Sequence, residues 1–514
     1  MASALTQSFA VLFLCLFTQE SRTELFTAIV HLEPLLAADN SIAMIIRRYL
    51  DAEYTRLARL ESYYAELALL ESLHDTGGRT DFMVISRLSW TWLRNTNATT
   101  EETKVNADVI KVRDSLPMPT EEDLDGAAVG LCRLLTTYKL TVQQLVDLRT
   151  PGVRMPSVTE FLEVAERCFA DYDPRNAALW FQQALEAYDK KNELFGFYID
   201  RGDIVKDMAE ALFTAGAPHT ALQAVNEQLR RTPDDEDLLR MRDKCEKELR
   251  KETFCSPSSG DDDSFYKLCL RSERQSSPKF YCKTTTNNGQ AWLLLQPLRM
   301  EIISVEPRIL VFHDFLNPEE CRTLRDLARP RLFRAHVYKG VNMSHFSGRI
   351  GKVSWFKDCE HQVIRRTLRR ITAVTGLSLD SAEQLQILNY GVGGHYVSHY
   401  DFKQKGQMED DRYKRDGNRL ATWLIYLSDV TLGGATVFTR SRLTVEPKEG
   451  KAVFWYNLVP DPENATDVGR WGEVRTGDMR LEHGACPVLR GSKWIATKWF
   501  HERAQARLYY DRPD

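Results

Sequence analysis

Residues 393–402 read GGHYVSHYDF, two histidines four apart with an aspartate two beyond the second. On a helix, His395 and His399 would share a face about 6 Å apart, a zinc-like pair. On a strand, alternate side chains share a face, so His399 and Asp401 point the same way across Tyr400. The glycine pair in front and the aromatic, β-rich run around it favour the strand. His395 falls on that face by parity too, but four strand residues span about 13 Å, too far for two ligands of one metal. His395 is therefore expected at the surface or behind the site. His399 and Asp401 supply two members of a facial set of two histidines and one carboxylate, the donor pattern of a non-haem iron(II) oxygenase.

The remaining ligand must come from another strand. Of the later histidines, His483 opens HGACPVL and His501 sits in FHER. Ten residues after His483 comes Lys493, in RGSKWIATKW. A buried lysine at the far end of a pocket suits the distal carboxylate of a dicarboxylic cosubstrate whose other end chelates the metal. His483 and Lys493 therefore make a coherent pair. Around them QLQILNY, RLATWLIYLSDV, GGATVF, AVFWYNL, ACPVL and KWIATKWF alternate with Gly, Pro and Asp turns. That texture predicts an antiparallel sandwich or barrel beyond about residue 300, with Lys352–Gly376 as a helix laid against it.

Upstream the periodicity is helical. Ser157–Ala170, Pro174–Asp189, Ile204–Ala215, Pro218–Arg231 and Asp235–Arg250 read as five helices separated by short turns. Pairs of this length, with Ala178, Trp180 and Ala184 and then Ala209, Phe213 and Ala217 alternating small and aromatic, resemble tetratricopeptide units over 130–250. Tyr172, Trp180, Tyr188 and Tyr198 are either core or a concave aromatic face for proline-rich peptides, which are preordered as polyproline II. Before that, Leu57, Leu60, Tyr64 and Leu67 follow a 3-4 spacing, extended backwards by Ala43, Ile46 and Leu50. The segment 21–125 is expected to be helical and to self-associate or pack in a bundle. SPSSGDDDS at 256–264 reads as linker, within a connecting region 251–300 that precedes the 301–510 domain.

At 514 residues the chain is too long for one core. A formal net charge of -4 gives no reason to expect nucleic acid. Phe9–Phe17 (FAVLFLCLF) is too short to span a bilayer and matches a secretory signal over residues 1–20. Asn97, Asn342 and Asn464 open glycosylation sequons, which fits secretion. The last four residues, DRPD, are not a K-D-E-L retrieval signal. Of ten cysteines, Cys15 would leave with the signal, and the odd remainder leaves at least one thiol unpaired within the chain. Cys269 and Cys282, close in sequence, are the expected disulfide.

Taken together, NYGVGGHYVSHYDF, GNRLATWLIYLSDVTLGGATVF, AVFWYNL, HGACPVLRGSKWIATKWFHER and LARPRLFRA closely resemble the α subunit of collagen prolyl 4-hydroxylase, a likeness covering almost the whole chain. The resemblance implies a multidomain α+β protein: a helical dimerisation segment, a tetratricopeptide-like substrate module and a double-stranded β-helix (jelly-roll) dioxygenase domain. It implies an enzyme of the endoplasmic reticulum lumen that uses Fe(2+), 2-oxoglutarate, O2 and L-ascorbate to hydroxylate proline at C4 in X-Pro-Gly repeats. Its metal ligands would be His399, Asp401 and His483, with Lys493 on the 2-oxoglutarate C5 carboxylate and Tyr390, Thr497 and Trp499 nearby. Tyr396, Arg419 and His501 would face the peptide or orient the chemistry. Protein disulfide isomerase would be the β subunit of an α2β2 tetramer. The chain departs from the family in a charged stretch at 460–482 and in lacking the late cysteine, which leaves Cys486 without its usual partner. Other readings are a prolyl 3- or lysyl hydroxylase, families that resemble one another in using arginine where this chain has Lys493, and a collagen-binding scaffold with a decayed site.

Overall fold

The computed structural model describes residues 41–48, 111, 121–148, 156–171, 173–190, 199–250, 263–270, 281–287, 289–335, 337–339, 342–344, 348–404, 411–460, 475–503 and 505. The apolar run at 9–17, the 3-4 spacing at Leu57–Leu67, Asn97, Asn464, Tyr172 and Tyr198 lie outside these. Two compact units result, Met1–Gly260 and Asp261–Asp514.

The first unit is helical. Its segments run Glu121–Tyr138, Val142–Asp147, Val158–Asp171, Pro174–Lys190, Arg201–Thr214, Pro218–Leu229 and Glu236–Leu249. Local chemistry sets the starts. Thr141 and Gln144 form a reciprocal capping box, and Asp200 and Asp235 accept from first-turn amides. Proline opens Pro174–Lys190 and Pro218–Leu229, where its missing N–H costs nothing. Ala177, Ala184, Ala209 and Ala221 are fully buried, small enough for neighbouring helices to approach closely. Trp180, open in the sequence between core and a displayed face, is only 3% exposed and stands 6.1 Å from the Phe161 ring. Its bulk fills the core because Phe161 faces it from the preceding helix. Tyr188 is half-buried. A Cys132–Cys168 disulfide, not foreseen, ties Glu121–Tyr138 to Val158–Asp171.

The second unit holds two large antiparallel sheets and, among the described residues, three two-stranded ones. The larger runs in the order Tyr281–Thr285, Leu298–Ser304, Ile309–His313, Ala452–Tyr456, Arg419–Tyr426, Lys493–His501, Leu385–Tyr390, Lys352–Phe356 and Phe333–Arg334. The smaller runs Leu443–Val445, Thr436–Phe438, His483–Ala485, His395–His399 and Arg349–Ile350. Val311, Leu388, Tyr426, Trp455 and Ile495 of the first sheet meet Phe438, Leu443 and Val445 of the second in one buried core. Central strands such as Arg419–Tyr426 are covered on both faces, which is why their sequences are nearly continuous apolar runs.

Two expectations are corrected here. Lys352–Phe356 is a strand, as Val353, Trp355 and Phe356 favour. The helix is Gln362–Thr375, capped by His361 and closed by Gly376 at φ 70°. The disulfide of Cys269 is made to Cys486, 217 residues away, and Cys282 is an exposed thiol. The short helix Asp263–Cys269 buries Phe265, Leu268 and Cys269 against Ala435, Val437 and Cys486, so packing overrides closeness in sequence.

Candidate metal and anion site

The His395–His399 and His483–Ala485 strands are antiparallel neighbours, and His399 and His483 are direct cross-strand partners. Their imidazole centroids are 4.5 Å apart. Asp401, just past the strand end, completes the group: its Oδ1 is 3.7 Å from His399 Nε2 and its Oδ2 3.6 Å from His483 Nε2. One donor atom from each residue lies within 4.8 Å of the others.

Local structure pins each donor. His399 Nδ1 is 2.9 Å from the Val397 carbonyl and His483 Nδ1 2.9 Å from the Leu481 carbonyl. Each of these nitrogens must carry the proton to donate there, which leaves both Nε2 lone pairs facing Asp401. Burial, and then the neighbouring His483, pushes the His399 pKa down to about 3, so its ring is neutral and free to ligate. Burial alone would raise the Asp401 carboxyl, but His483, His399, Arg419 and a 2.7 Å hydrogen bond from Thr422 Oγ1 hold it below its ordinary value. Phe402 fixes the segment that follows, its ring lying flat where any side chain at Gly477 would collide with it. Two imidazoles and a carboxylate, with tautomers set by backbone carbonyls, form a donor set that fits iron(II).

His395 is buried at 4% exposure rather than on the surface. The parity argument fails at this strand for a definite reason. The four residues from Tyr396 to His399 lie opposite only three, Ala485 to His483, so a bulge shifts the alternation by one. Tyr396, not His395, shares the face of His399, and its ring stacks on the imidazole with centroids 3.6 Å apart. Arg349 in turn lies 4.9 Å over the Tyr396 ring.

Lys493 is fully buried on the large sheet, opposite Tyr390 in register. Its ammonium has a long, 3.5 Å hydrogen bond to Thr436 Oγ1 and lies 5.8 Å and 5.7 Å from the Tyr390 and Tyr426 ring centroids. Burial pushes its pKa down to about 7, only weakly opposed by Glu446. A cation desolvated this far, with one hydroxyl and two ring faces around it, is arranged to receive an anion. Tyr390 is likewise buried, its hydroxyl raised to about 12 by desolvation. Thr497 and Trp499 lie on the same strand as Lys493, buried, and paired across to Leu424 and Thr422.

Arg419 and His501 converge on Glu383, a residue nothing in the sequence singles out. Arg419 donates to both Glu383 oxygens, at 2.5 and 3.1 Å, and stacks 4.1 Å over the Trp499 ring. His501 Nε2 is 3.0 Å from Glu383 Oε1, and Arg412 donates to Oε2 at 3.0 Å. Burial opposes ionisation of Glu383, but Arg419 and His501 hold its carboxyl well below the usual range. Beside it opens a groove of about 520 Å³ bordered by Trp355, Gln384, Arg412 and Arg415. Sequence reasoning also missed Thr422, Tyr426 and Thr436. Their trace is a polar atom at a buried register within an apolar strand.

Residues 28–150 match the family described as prolyl 4-hydroxylase alpha-subunit, N-terminal region, and residues 385–501 match the 2OG-Fe(II) oxygenase superfamily. The chain is 31% identical to prolyl 4-hydroxylase subunit alpha-2 of Gallus gallus, the alignment covering 95% of each chain. It is 31% identical to subunit alpha-2 of Caenorhabditis elegans, over 96% of this chain and 95% of the other. Among solved structures, a viral collagen prolyl hydroxylase of Paramecium Bursaria Chlorella virus-1 is 25% identical over 37% of this chain and 94% of its own, with a TM-score of 0.28.

Proposed function

The chain belongs to the prolyl 4-hydroxylase α-subunit family and is a 2-oxoglutarate-dependent dioxygenase, and from that premise we propose that it hydroxylates proline at C4 in X-Pro-Gly repeats of procollagen. The observation that carries the reading is the meeting of three metal donors from two strands and a loop, with Lys493 deeply buried on the other sheet.

In this reading His399, Asp401 and His483 hold Fe(2+), and Lys493 takes the C5 carboxylate of 2-oxoglutarate. The iron, when bound, supplies the coupling of dioxygen reduction to decarboxylation of 2-oxoglutarate, giving succinate and hydroxylated proline. The protein's own share is positioning and dryness. The Val397 and Leu481 carbonyls keep the imidazole lone pairs aimed at the ligand. The rings of Tyr390 and Tyr426 exclude water from the ammonium, which strengthens its attraction for a carboxylate. Trp499 and Arg419 form a stacked wall held by Glu383, and His501 is fixed to the same carboxylate. Arg419 and His501 then serve the peptide by shaping this wall, and Tyr396 by its stack on the His399 imidazole.

Protein disulfide isomerase as β subunit of an α2β2 tetramer, ascorbate dependence and residence in the endoplasmic reticulum lumen belong to the same proposal. Among the described residues no helix is long and apolar enough to cross a membrane. Tyr172, Tyr188 and Tyr198 stay proposed contacts for the repetitive substrate, while Trp180 is part of the core. The test is succinate release from 2-oxoglutarate by the chain copurified with a disulfide isomerase, with iron and ascorbate present. Release that depends on a (Pro-Pro-Gly)n peptide is expected. Equal release with a lysine-containing collagen peptide would favour a lysyl hydroxylase, and none with either would leave a collagen-binding scaffold.

A further inference from the structure

Behind Asp401 runs a line of hydrogen bonds that joins two neighbouring strands, Ala452–Tyr456 and Arg419–Tyr426, through Asn457. Trp455 Nε1 donates to Asn457 Oδ1 at 2.8 Å, Asn457 Nδ2 donates to Thr422 Oγ1 at 2.9 Å, and Thr422 Oγ1 donates to Asp401 Oδ2 at 2.7 Å. Trp455 and Thr422 are 0% exposed and Asn457 1%, so water does not reach the line.

Its direction follows from chemistry alone. An indole N–H can only donate, so the atom of Asn457 facing Trp455 must be the amide oxygen. The amide nitrogen therefore faces Thr422, whose hydroxyl accepts from it. A hydroxyl has a single hydrogen, and with its acceptor side engaged by Asn457 that hydrogen goes to Asp401. Backbone bonds hold the frame: Asn457 N–H donates to the Leu420 carbonyl, and the Asn457 carbonyl accepts from Asp478 N–H. Thr422 and Trp455 are cross-strand partners in the large sheet.

We propose that Asn457 is a positioning residue for the metal site: by fixing the direction of the Thr422 hydrogen, it holds the Asp401 carboxylate in one orientation. It does so from two hydrogen bonds away. The inference rests on the reading of His399, Asp401 and His483 as metal ligands. Outer partners of ligating carboxylates typically change metal affinity by about 10- to 100-fold when altered.

The informative variant is Asn457→Asp, which preserves shape but, when ionised, has no donor to offer. Residue 457 would then draw the Thr422 hydrogen to itself, and Asp401 would lose it. Co(II) binding to the full-length chain, followed by visible absorption in the absence of 2-oxoglutarate, reads the effect directly. Asn457→Asp is expected to weaken Co(II) binding about 10- to 100-fold and to leave the peptide KM unchanged. Thr422→Val, which deletes the hydroxyl without altering shape, should weaken it comparably, and Thr422→Ser, which keeps the hydroxyl, should restore it. Should Asn457→Asp fail to fold, the Thr422 pair decides alone. Wild-type affinity in Asn457→Asp or Thr422→Val, or equal loss in Thr422→Ser, overturns the proposal. Co(II) binding to wild type that is unchanged in His399→Ala would instead overturn the ligand assignment, and the proposal with it.

Discussion

Lys493→Met keeps the length and the apolar stem of the side chain while deleting the ammonium, so it separates what that charge does for ligand binding from what it does to the fold. Burial holds the Lys493 pKa near 7, against 10.5 for a free lysine. The unfolded chain therefore binds a proton that the folded one resists, and stability rises with pH between those values. The cost is fully present below pH 7 and vanishes above about 10.5; at pH 7 it amounts to about 4 kcal/mol. Against it stand the long hydrogen bond to Thr436 and the ring contacts with Tyr390 and Tyr426, together worth about 2 kcal/mol. Lys493→Met should thus stabilise the ligand-free protein by about 2 kcal/mol, a rise in melting temperature of about 5 °C. The same variant loses a charge-assisted contact to the cosubstrate worth about 2–3 kcal/mol, which raises the 2-oxoglutarate KM roughly 30- to 150-fold. Thermal unfolding at pH 7 and at pH 9.5, with and without 2-oxoglutarate, reads both effects, and the stability gain should shrink at the higher pH. A lower melting temperature at pH 7, or an unchanged 2-oxoglutarate KM, would refute the picture of a desolvated cation waiting for an anion.

The same ammonium predicts that the wild-type 2-oxoglutarate KM rises about fivefold from pH 7 to pH 8, as Lys493 loses its proton, and stays flat in Lys493→Met. Gly484→Ala would press a Cβ to 2.7 Å from the Phe265 ring and 2.9 Å from the Tyr396 carbonyl, splaying the strand that carries His483. A loss of about 1–3 kcal/mol in urea unfolding is expected, and wild-type stability would contradict the packing. Cys269→Ser should cost about 2–5 kcal/mol and leave the buried Cys486 a free thiol that alkylates once the protein is unfolded without reductant, whereas Cys282→Ser should do neither. Glu383→Gln removes the buried anion facing Arg419 and His501, and a destabilisation of about 3–5 kcal/mol with a raised peptide KM is expected. A variant as stable as wild type would remove Glu383 from its place as the anchor of that wall.

Much of this fold could be read from the chain because its signals are local. Pro174 and Pro218, the caps Asp200 and Asp235, and the buried alanines set the helices of 157–250 to within a few residues of their observed ends. His399 and Asp401 were legible from alternation, and His483 and Lys493 from their spacing to each other. What escaped was long-range or cooperative. The bulge before His399 reverses the alternation, so His395 and Tyr396 exchange the faces that simple parity assigns. Cys269 finds Cys486 only because a seven-residue helix buries its apolar side against the strand end. Glu383 stands in no motif, and its importance arises where Arg419, His501 and Arg412 arrive from separate elements. Trp180 stays open between face and core in the sequence, because an aromatic at helical spacing serves either equally well until the neighbour, Phe161, is known.

The most direct test of the central claim is the mass-spectrometric yield of 4-hydroxyproline in a (Pro-Pro-Gly)n peptide. The wild-type chain and Asp401→Ala would be compared with iron, 2-oxoglutarate and ascorbate present and succinate measured alongside. The wild type should form one hydroxyproline per succinate and Asp401→Ala none. No hydroxyproline from the wild type, or an equal yield from Asp401→Ala, would contradict the account.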